Sequence, residues 1–272
     1  MATLYKRNIN LTVQDLETRD QYKFDGLRIA FDFVKSYEGI PNSGTITIYN
    51  VSKDARAPLD KVGNVLVLRG GYGNENKQLL TGSILKSETT DEGVDIVTSL
   101  EIGDGAIALA SAHVSQVFPK GNTELNILEA AVASLKDEGI SLASNFDTTP
   151  FETKLPRAVS VSEDAKSVLT EYTQKRGYTW SVQDSQLQIL KLDKGTTEPA
   201  IKLGPQTGLI GTPVTSFSNI SFKTLLISEL AVGRKVVIDL PTVTGNFVVL
   251  KLNGRGDNYG GEFGFTCEGL VL

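Results

Sequence analysis

The chain has 272 residues, enough for one large domain or two to three small ones, and carries 27 basic against 32 acidic side chains, a net charge of −5. That balance excludes a surface built to hold nucleic acid by neutralising phosphates, but not one past which DNA moves, because a wall that repels phosphate suits a conduit. Cys267 is the single cysteine, which excludes an intrachain disulfide scaffold and a cysteine-based metal centre.

Met1 to Arg7 lacks the apolar segment of a signal peptide, and no uncharged apolar run is long enough to span a bilayer, so synthesis and folding in a cytoplasm are expected. From Leu4 to about Leu100 the signals are those of β-structure. Ile9, Leu11 and Val13 alternate with polar residues, Leu27, Ile29, Phe31 and Phe33 do so again, and Ile46 and Ile48 lead to Tyr49. Ser52 to Lys61, polar and holding Pro58, reads as a loop or a short helix. Val65 to Tyr72 is apolar enough for a core strand and includes Gly70-Gly71, residues that turn or bulge. Leu79 to Ile84 and Val94 to Val97 read as the next two strands, with Thr90-Asp91-Glu92-Gly93 as the turn between them. About six strands with glycine turns predict a small barrel or sandwich.

The pattern changes after Gly103-Asp104-Gly105. Ala106 to Ala112 is small and apolar, Val114 to Phe118 reads as a strand, and Pro119 to Asn122 turns into a helix with Leu125, Leu128, Val132 and Leu135 in one stripe and Gly139 just past its end. Pro150 and Pro156 break the following stretch. A second helix is expected to begin at Ser160, with Glu163 at capping-box spacing, or at Ser162, with two acids in its first turn. Ala165, Val168, Leu169 and Tyr172 form its apolar face, and Gly177 suits a left-handed cap. Beyond it, Tyr178, Trp180 and Val182 alternate, Asp184-Ser185 makes a tight turn, and Leu187 and Ile189 alternate again, a hairpin whose Tyr178 and Trp180 should pack under the helix.

Lys194 to Pro199 is a polar break, after which strands return at Ala200–Leu203, Val214–Phe222, Arg234–Leu240, Gly245–Leu252 and Glu262–Leu270. The order is β, then α+β, then β. The expected fold is therefore mainly β with an inserted α+β domain, divided at residues 1–105, 106–195 and 196–272.

No catalytic, cofactor-binding or metal-binding residue is nominated. His113, the sole histidine, sits in an apolar stretch without a marked partner, and no Gly-x-Ser-x-Gly elbow surrounds a serine. Cys267 alternates with Phe265 and reads as core. The carboxylate pairs Asp91-Glu92, Asp137-Glu138 and Glu163-Asp164 lie where turns and helix ends favour acids, so nothing selects them for glycoside chemistry. Gly70-Gly71-Tyr72-Gly73 and Gly254 to Gly261 match neither phosphate-binding pattern and read as turns, the second holding Arg255-Gly256-Asp257 by chance. Asp239, Asp257 and Glu262 lack the spacing of a calcium loop.

Several phrases in order resemble a known family. Leu100-Glu101-Ile102-Gly103-Asp104-Gly105 runs into Val114-Ser115-Gln116-Val117-Phe118 and the turn at Gly121, followed by Gly177 to Asp184 and Leu187-Gln188-Ile189. Leu209 to Pro213, Leu225-Leu226, Gly233 to Val236 and Arg255-Gly256-Asp257 complete the series. They span most of residues 100–272, and the N-terminal part matches in style alone. The chain thus resembles the baseplate hub proteins of contractile-tailed bacteriophages, the Mu-like hub and late control protein D class, whose fold also occurs at the base of type VI secretion spikes. Larger hubs of the class carry extra domains without counterpart here.

The resemblance implies two tail-tube-like β-barrels flanking the helix-hairpin domain, and a homotrimer whose six barrels form a pseudo-sixfold ring. Such a hub has no enzymatic activity and no cofactor. It joins the sixfold tail tube, or a distal tail protein, to the threefold spike, with the tape-measure protein and baseplate wedge as further neighbours. It resides in the virion, assembled in the host cytoplasm, and is not inserted in a membrane. Strands would continue from barrel to barrel, DNA would pass through without specific binding, and acidic side chains should outnumber basic ones on the bore. The alternative, a β-sandwich carbohydrate-binding or adhesin module of a tail, requires an exposed aromatic platform. A peptidoglycan hydrolase would need the catalytic motifs that are missing.

Overall fold

The computed structural model describes residues 6–144, 146–191 and 193–272. The expected start of β-structure at Leu4, most of the stretch read for a signal peptide, and Leu192 at the end of the expected α+β unit lie outside the described residues.

The N-terminal segment holds β1 (Arg7–Gln14), β2 (Gln21–Phe24), β3 (Ile29–Ser36), β4 (Asn42–Tyr49), the short α1 (Lys53–Arg56), β5 (Val65–Tyr72), β6 (Lys77–Glu92) and β7 (Asp95–Asp104). The alternating apolar residues of β1, β3 and β4 face a common core, as their period of two requires. Two features differ from expectation. Strand β2 carries one buried residue in four and has little apolar signal. The turn expected at Thr90–Gly93 lies at Gly93-Val94 instead, because the outer half of β6, which has no buried residue, stays paired with β7 as far as Glu92 opposite Asp95.

The middle segment contains α2 (Ala106–Ser111), β8 (His113–Phe118), α3 (Glu124–Asp137), β9 (Ser141–Leu142), β10 (Val159–Asp164), α4 (Ala165–Gln174), β11 (Thr179–Gln183) and β12 (Gln186–Leu190). Neither expected start of the second helix is correct. Val159 to Asp164 is a strand paired with β8, and the helix begins at Ala165, capped by Asp164, whose carboxylate accepts the Ser167 N–H at 2.8 Å. In α3 the buried positions are Ile127, Leu128, Ala131 and Leu135, with Leu125 and Val132 at the margin of the stripe.

The C-terminal segment consists of β13 (Ile201–Leu203), β14 (Leu209–Ser216), β15 (Asn219–Leu225), β16 (Lys235–Leu240), β17 (Val243–Asp257) and β18 (Phe263–Val271). Val214 to Phe222, expected as one strand, is a hairpin that turns at Phe217-Ser218. The glycine clusters are only partly turns: Gly70 and Gly71 lie within β5, and Gly254 and Gly256 within β17.

Thirteen strands from the two outer segments form one sheet in the order β14-β15-β18-β17-β3-β4-β7-β6-β5-β1-β2, with β16 and β13 branching from β17. The link is β17. Its first half pairs with β16 and its second half with β3, while β18 pairs along its other edge. Beneath the link lies an aromatic cluster: Phe31 stacks on Phe33 at 5.5 Å, and Phe263 and Phe265 meet these rings edge-on at 6.1 and 6.4 Å. Gly254 and Gly256 are required here because Cβ atoms at these positions would run into the rings of Phe33 and Phe31. Gly254→Ala is expected to destabilise by about 1–3 kcal/mol through overpacking, read as a lower urea midpoint. An unchanged midpoint would contradict this packing.

The middle segment has its own apolar core of Phe118, Ile127, Leu128, Phe151, Leu169, Trp180 and their neighbours, between α3, α4 and the β11–β12 hairpin. Among the described residues no helix is long and apolar enough to cross a membrane.

Candidate functional site

Directly opposed residues of paired strands project to the same face, so the register defines what the sheet presents to solvent. One row runs Lys86, Glu101, Thr45, Asp32, Arg255 across β6, β7, β4, β3 and β17. The next runs Ser43, Val34, Asn253, Thr266, Lys223, Ile210 as far as β14. A third comprises Lys251, Glu268, Ser221 and Val214. The aromatic core occupies the opposite face, so this is one continuous polar surface crossing from the N-terminal to the C-terminal segment.

Its charges alternate. Lys86 Nζ lies 2.9 Å from Glu88 and 3.8 Å from Glu101, and Arg255 donates from Nε to Asp32 at 2.9 Å with Glu262 at 3.7 Å. These pairs are exposed and screened by solvent, so they add little to stability. Their consequence is electrostatic: most cations on the face stand beside a carboxylate, which leaves little field to hold a phosphate backbone.

The second feature is the joint between the sheet and the middle segment. Asp184 and Ser185, at the tip of the β11–β12 hairpin, both adopt the left-handed conformation, with φ of 54° and 62°. Such a turn is costly without glycine and is held here by Asp104, the fully buried last residue of β7. Asp104 accepts the backbone N–H groups of Asp184 at 2.6 Å and Ser185 at 2.8 Å. Asp184 in turn accepts Lys35 Nζ at 2.7 Å and the Thr81 N–H at 3.0 Å. Asn42 donates to the Val182 carbonyl at 2.7 Å, and Gln183 to that of Ser36 at 2.8 Å. Burial, with the nearby Asp184 charge, pushes the Asp104 carboxyl up to about 6 against the opposing pull of its backbone donors. The network fixes one orientation of the hairpin on the sheet.

The residues weighed from sequence lie apart from any shared site. His113 is exposed at the start of β8, contrary to the apolar setting expected for it. Cys267 is buried in the aromatic core, where burial pushes its thiol up. The three acid pairs lie on the surface. Arg255-Gly256-Asp257 is a strand segment rather than a turn: Arg255 is engaged by Asp32, and Asp257 by Arg28 at 2.9 Å. Asp257 and Glu262 thus face arginines, and among the described residues no group of three or more His, Cys, Asp or Glu is placed to hold a metal ion. Sequence reasoning missed Asp104 as a buried acceptor; lying between two glycines, it read as a domain break.

No protein-family model matches the sequence, and no curated protein matches it. Solved structures share the fold. A 43 kDa tail protein of prophage MuSo2 from Shewanella oneidensis superposes with a TM-score of 0.66 at 12% identity, over 97% of this chain and 98% of that one. A tail protein from Neisseria meningitidis gives 0.65 at 12% identity, over 98% and 97%. An E. coli component of the type VI secretion system, described as structurally similar to T4 bacteriophage tail proteins, gives 0.65 at 9% identity, over 96% and 76%. The resemblance to the tail and baseplate hub class read from short motifs holds at the level of fold.

Proposed function

We propose that the protein is a structural component of a phage tail baseplate, a hub that joins the tail tube to the spike. The observation that carries this reading is the likeness of fold to tail proteins over nearly the whole length of both chains. In this reading residues 1–105 and 196–272 close into two tube-like barrels and residues 106–195 form the domain inserted between them. Three chains make a pseudo-sixfold ring that adapts a sixfold tube to a threefold spike. Tail tube or distal tail protein, spike, tape-measure protein and wedge are the partners, the location is the virion tail, and no catalysis is involved.

In this arrangement the polar sheet face from β6 across to β15 lines the channel, with β14 at its rim. Its acids Asp32, Glu88, Glu101, Glu262 and Glu268 stand against Lys86, Lys223, Lys251 and Arg255, so in this reading the bore carries no cationic excess. The face is also rich in Ser and Thr, and DNA would slide past without specific contacts.

The carbohydrate-binding alternative finds little support, because Trp180 is buried and the exposed aromatics Tyr22, Phe217 and Tyr259 sit in separate edges and turns. The test is the molecular mass of the purified chain together with negative-stain images. A trimer with an open centre is the expected result. A chain that stays monomeric at high concentration and with tail-tube and spike proteins would overturn the hub reading.

A further inference from the structure

The β14–β15 hairpin has a composition unlike the rest of the surface. Charged residues make up 22% of the chain, yet none occurs from Leu203 to Phe222. β14 is also the terminal strand of the large sheet. Sheet edges in soluble proteins are commonly guarded by charges, and the opposite edge, β2, is guarded in this way by Lys23 with Asp20 and Asp25 beside it. β14 instead exposes Ile210 and Val214, and the adjoining turn exposes Phe217 completely. Phe217 has a φ of 49°, a conformation unfavourable for a bulky side chain. An exposed aromatic held in a strained turn gains nothing within this chain.

The hairpin is not suited to extended strand pairing. The register shifts between Ile210 and Val214, and Pro213 removes a backbone donor. What it offers is a row of apolar side chains and a protruding ring.

A second charge-free stretch runs from Gly105 to Pro119 in the middle segment. It contains β8, one strand of the two-stranded sheet, which exposes Val117 beside the small cross-strand residues Ser160 and Ser162. Ile107 is exposed on the same stretch. These are the two longest runs without charge in the sequence, and both come to the surface.

We propose that the two surfaces meet between copies of the chain: the β14–β15 hairpin of one, anchored by Phe217 and Val214, docks on β8 of the next around Val117. This rests on the trimeric reading above and adds the contact that builds the ring. The turn around Phe217 and the Val117 end of β8, with Ser115, Ser160 and Ser162, carry no charge and can close without burying an unpaired one, while Glu268 and Lys251, in the row of Val214, stay at the margin of the contact. The two patches differ, so the contact is head-to-tail, the kind that closes into a ring when the rotation permits. An aromatic in a turn facing a shallow sheet of Val and Ser has the form of an anchor residue surrounded by weaker contacts.

The test measures association of the full chain by sedimentation equilibrium for the wild type and four variants: Phe217→Asn, Val214→Lys, Val117→Glu, and Val214→Lys combined with Val117→Glu. All three positions are exposed, and asparagine tolerates the left-handed turn, so thermal unfolding should confirm intact folds. Phe217→Asn is expected to weaken association about thirtyfold and each single charge about tenfold. The combined variant should regain most of the loss, because the introduced charges attract across the contact. A wild-type trimer whose variants associate normally, or in which Val117→Glu has no effect, overturns this proposal alone. A wild type that remains monomeric overturns both this and the trimeric reading.

Discussion

Replacing Asp104 with alanine is expected to lower the unfolding free energy by about 2–3 kcal/mol at neutral pH, and to widen the gap from wild type as the pH falls. The first part follows from the two backbone donors of the hairpin tip, Asp184 and Ser185, which lose their acceptor in a buried joint. Relief from burying a carboxylate reduces the loss.

The second part follows from the carboxyl pushed up to about 6, against an ordinary 3.8. Between these values Asp104 in the folded protein binds a proton that it does not bind in the unfolded chain, so its contribution to wild-type stability rises as pH falls from about 7 to 4. It is lost as pH rises through about 6. The full shift corresponds to roughly 3 kcal/mol, none of which remains in the alanine variant. Urea unfolding of both proteins at pH 5 and pH 7.5 measures it. A gap that narrows in acid, as for an ordinary paired carboxylate, would contradict this account of the joint.

Trp180→Ala is expected to be at least as damaging, at about 3–5 kcal/mol. The ring is 2% exposed, its Nε1–H donates to Thr170 Oγ1 on α4 at 3.1 Å, and its edge lies against Gly39, in the loop between β3 and β4. Truncation would empty the core of the middle segment and remove its contact with the sheet at the same time. Thermal unfolding followed separately by near-ultraviolet and far-ultraviolet circular dichroism reads the effect. A variant that melts like the wild type would show that the ring packs elsewhere.

Much of the β-structure was legible in the sequence because one face of each core strand is apolar. The strands β1, β3, β4 and β5 and the β11–β12 hairpin stand where their alternation places them. Errors arose where a local signal had two meanings. Ser160-Val161-Ser162 alternates as a strand does, yet the acids after it also fit a helix start, and pairing with β8 decides the matter. Phe217-Ser218 lacks the residues that mark a tight turn. The outer half of β6 has no apolar face to reveal it.

Other features depend on contacts distant in sequence. Gly254 and Gly256 are strand residues because rings from β3 lie over them, and a sequence window around β17 holds no trace of those rings. Asp104 reads as a polar residue between two glycines until the hairpin tip is brought onto it. The polar face is likewise invisible before register is known, since its rows combine residues from separate segments. Its function in assembly is carried by which side chains stand opposite one another, not by a motif.

The pairing of β3 with β17 also bears on the order in which the molecule can form. Arg255 and Asp32, partners in that pairing, are separated by 223 positions. On the ribosome, the inner edge of the N-terminal strands must therefore wait, unpaired, until the middle segment has been made and β17 emerges. The middle segment, whose core is drawn from contiguous sequence, can fold in that interval. Closure of the long loop around it then becomes the late and slow step, and the exposed β3 edge is the place where a nascent chain is most open to a wrong partner.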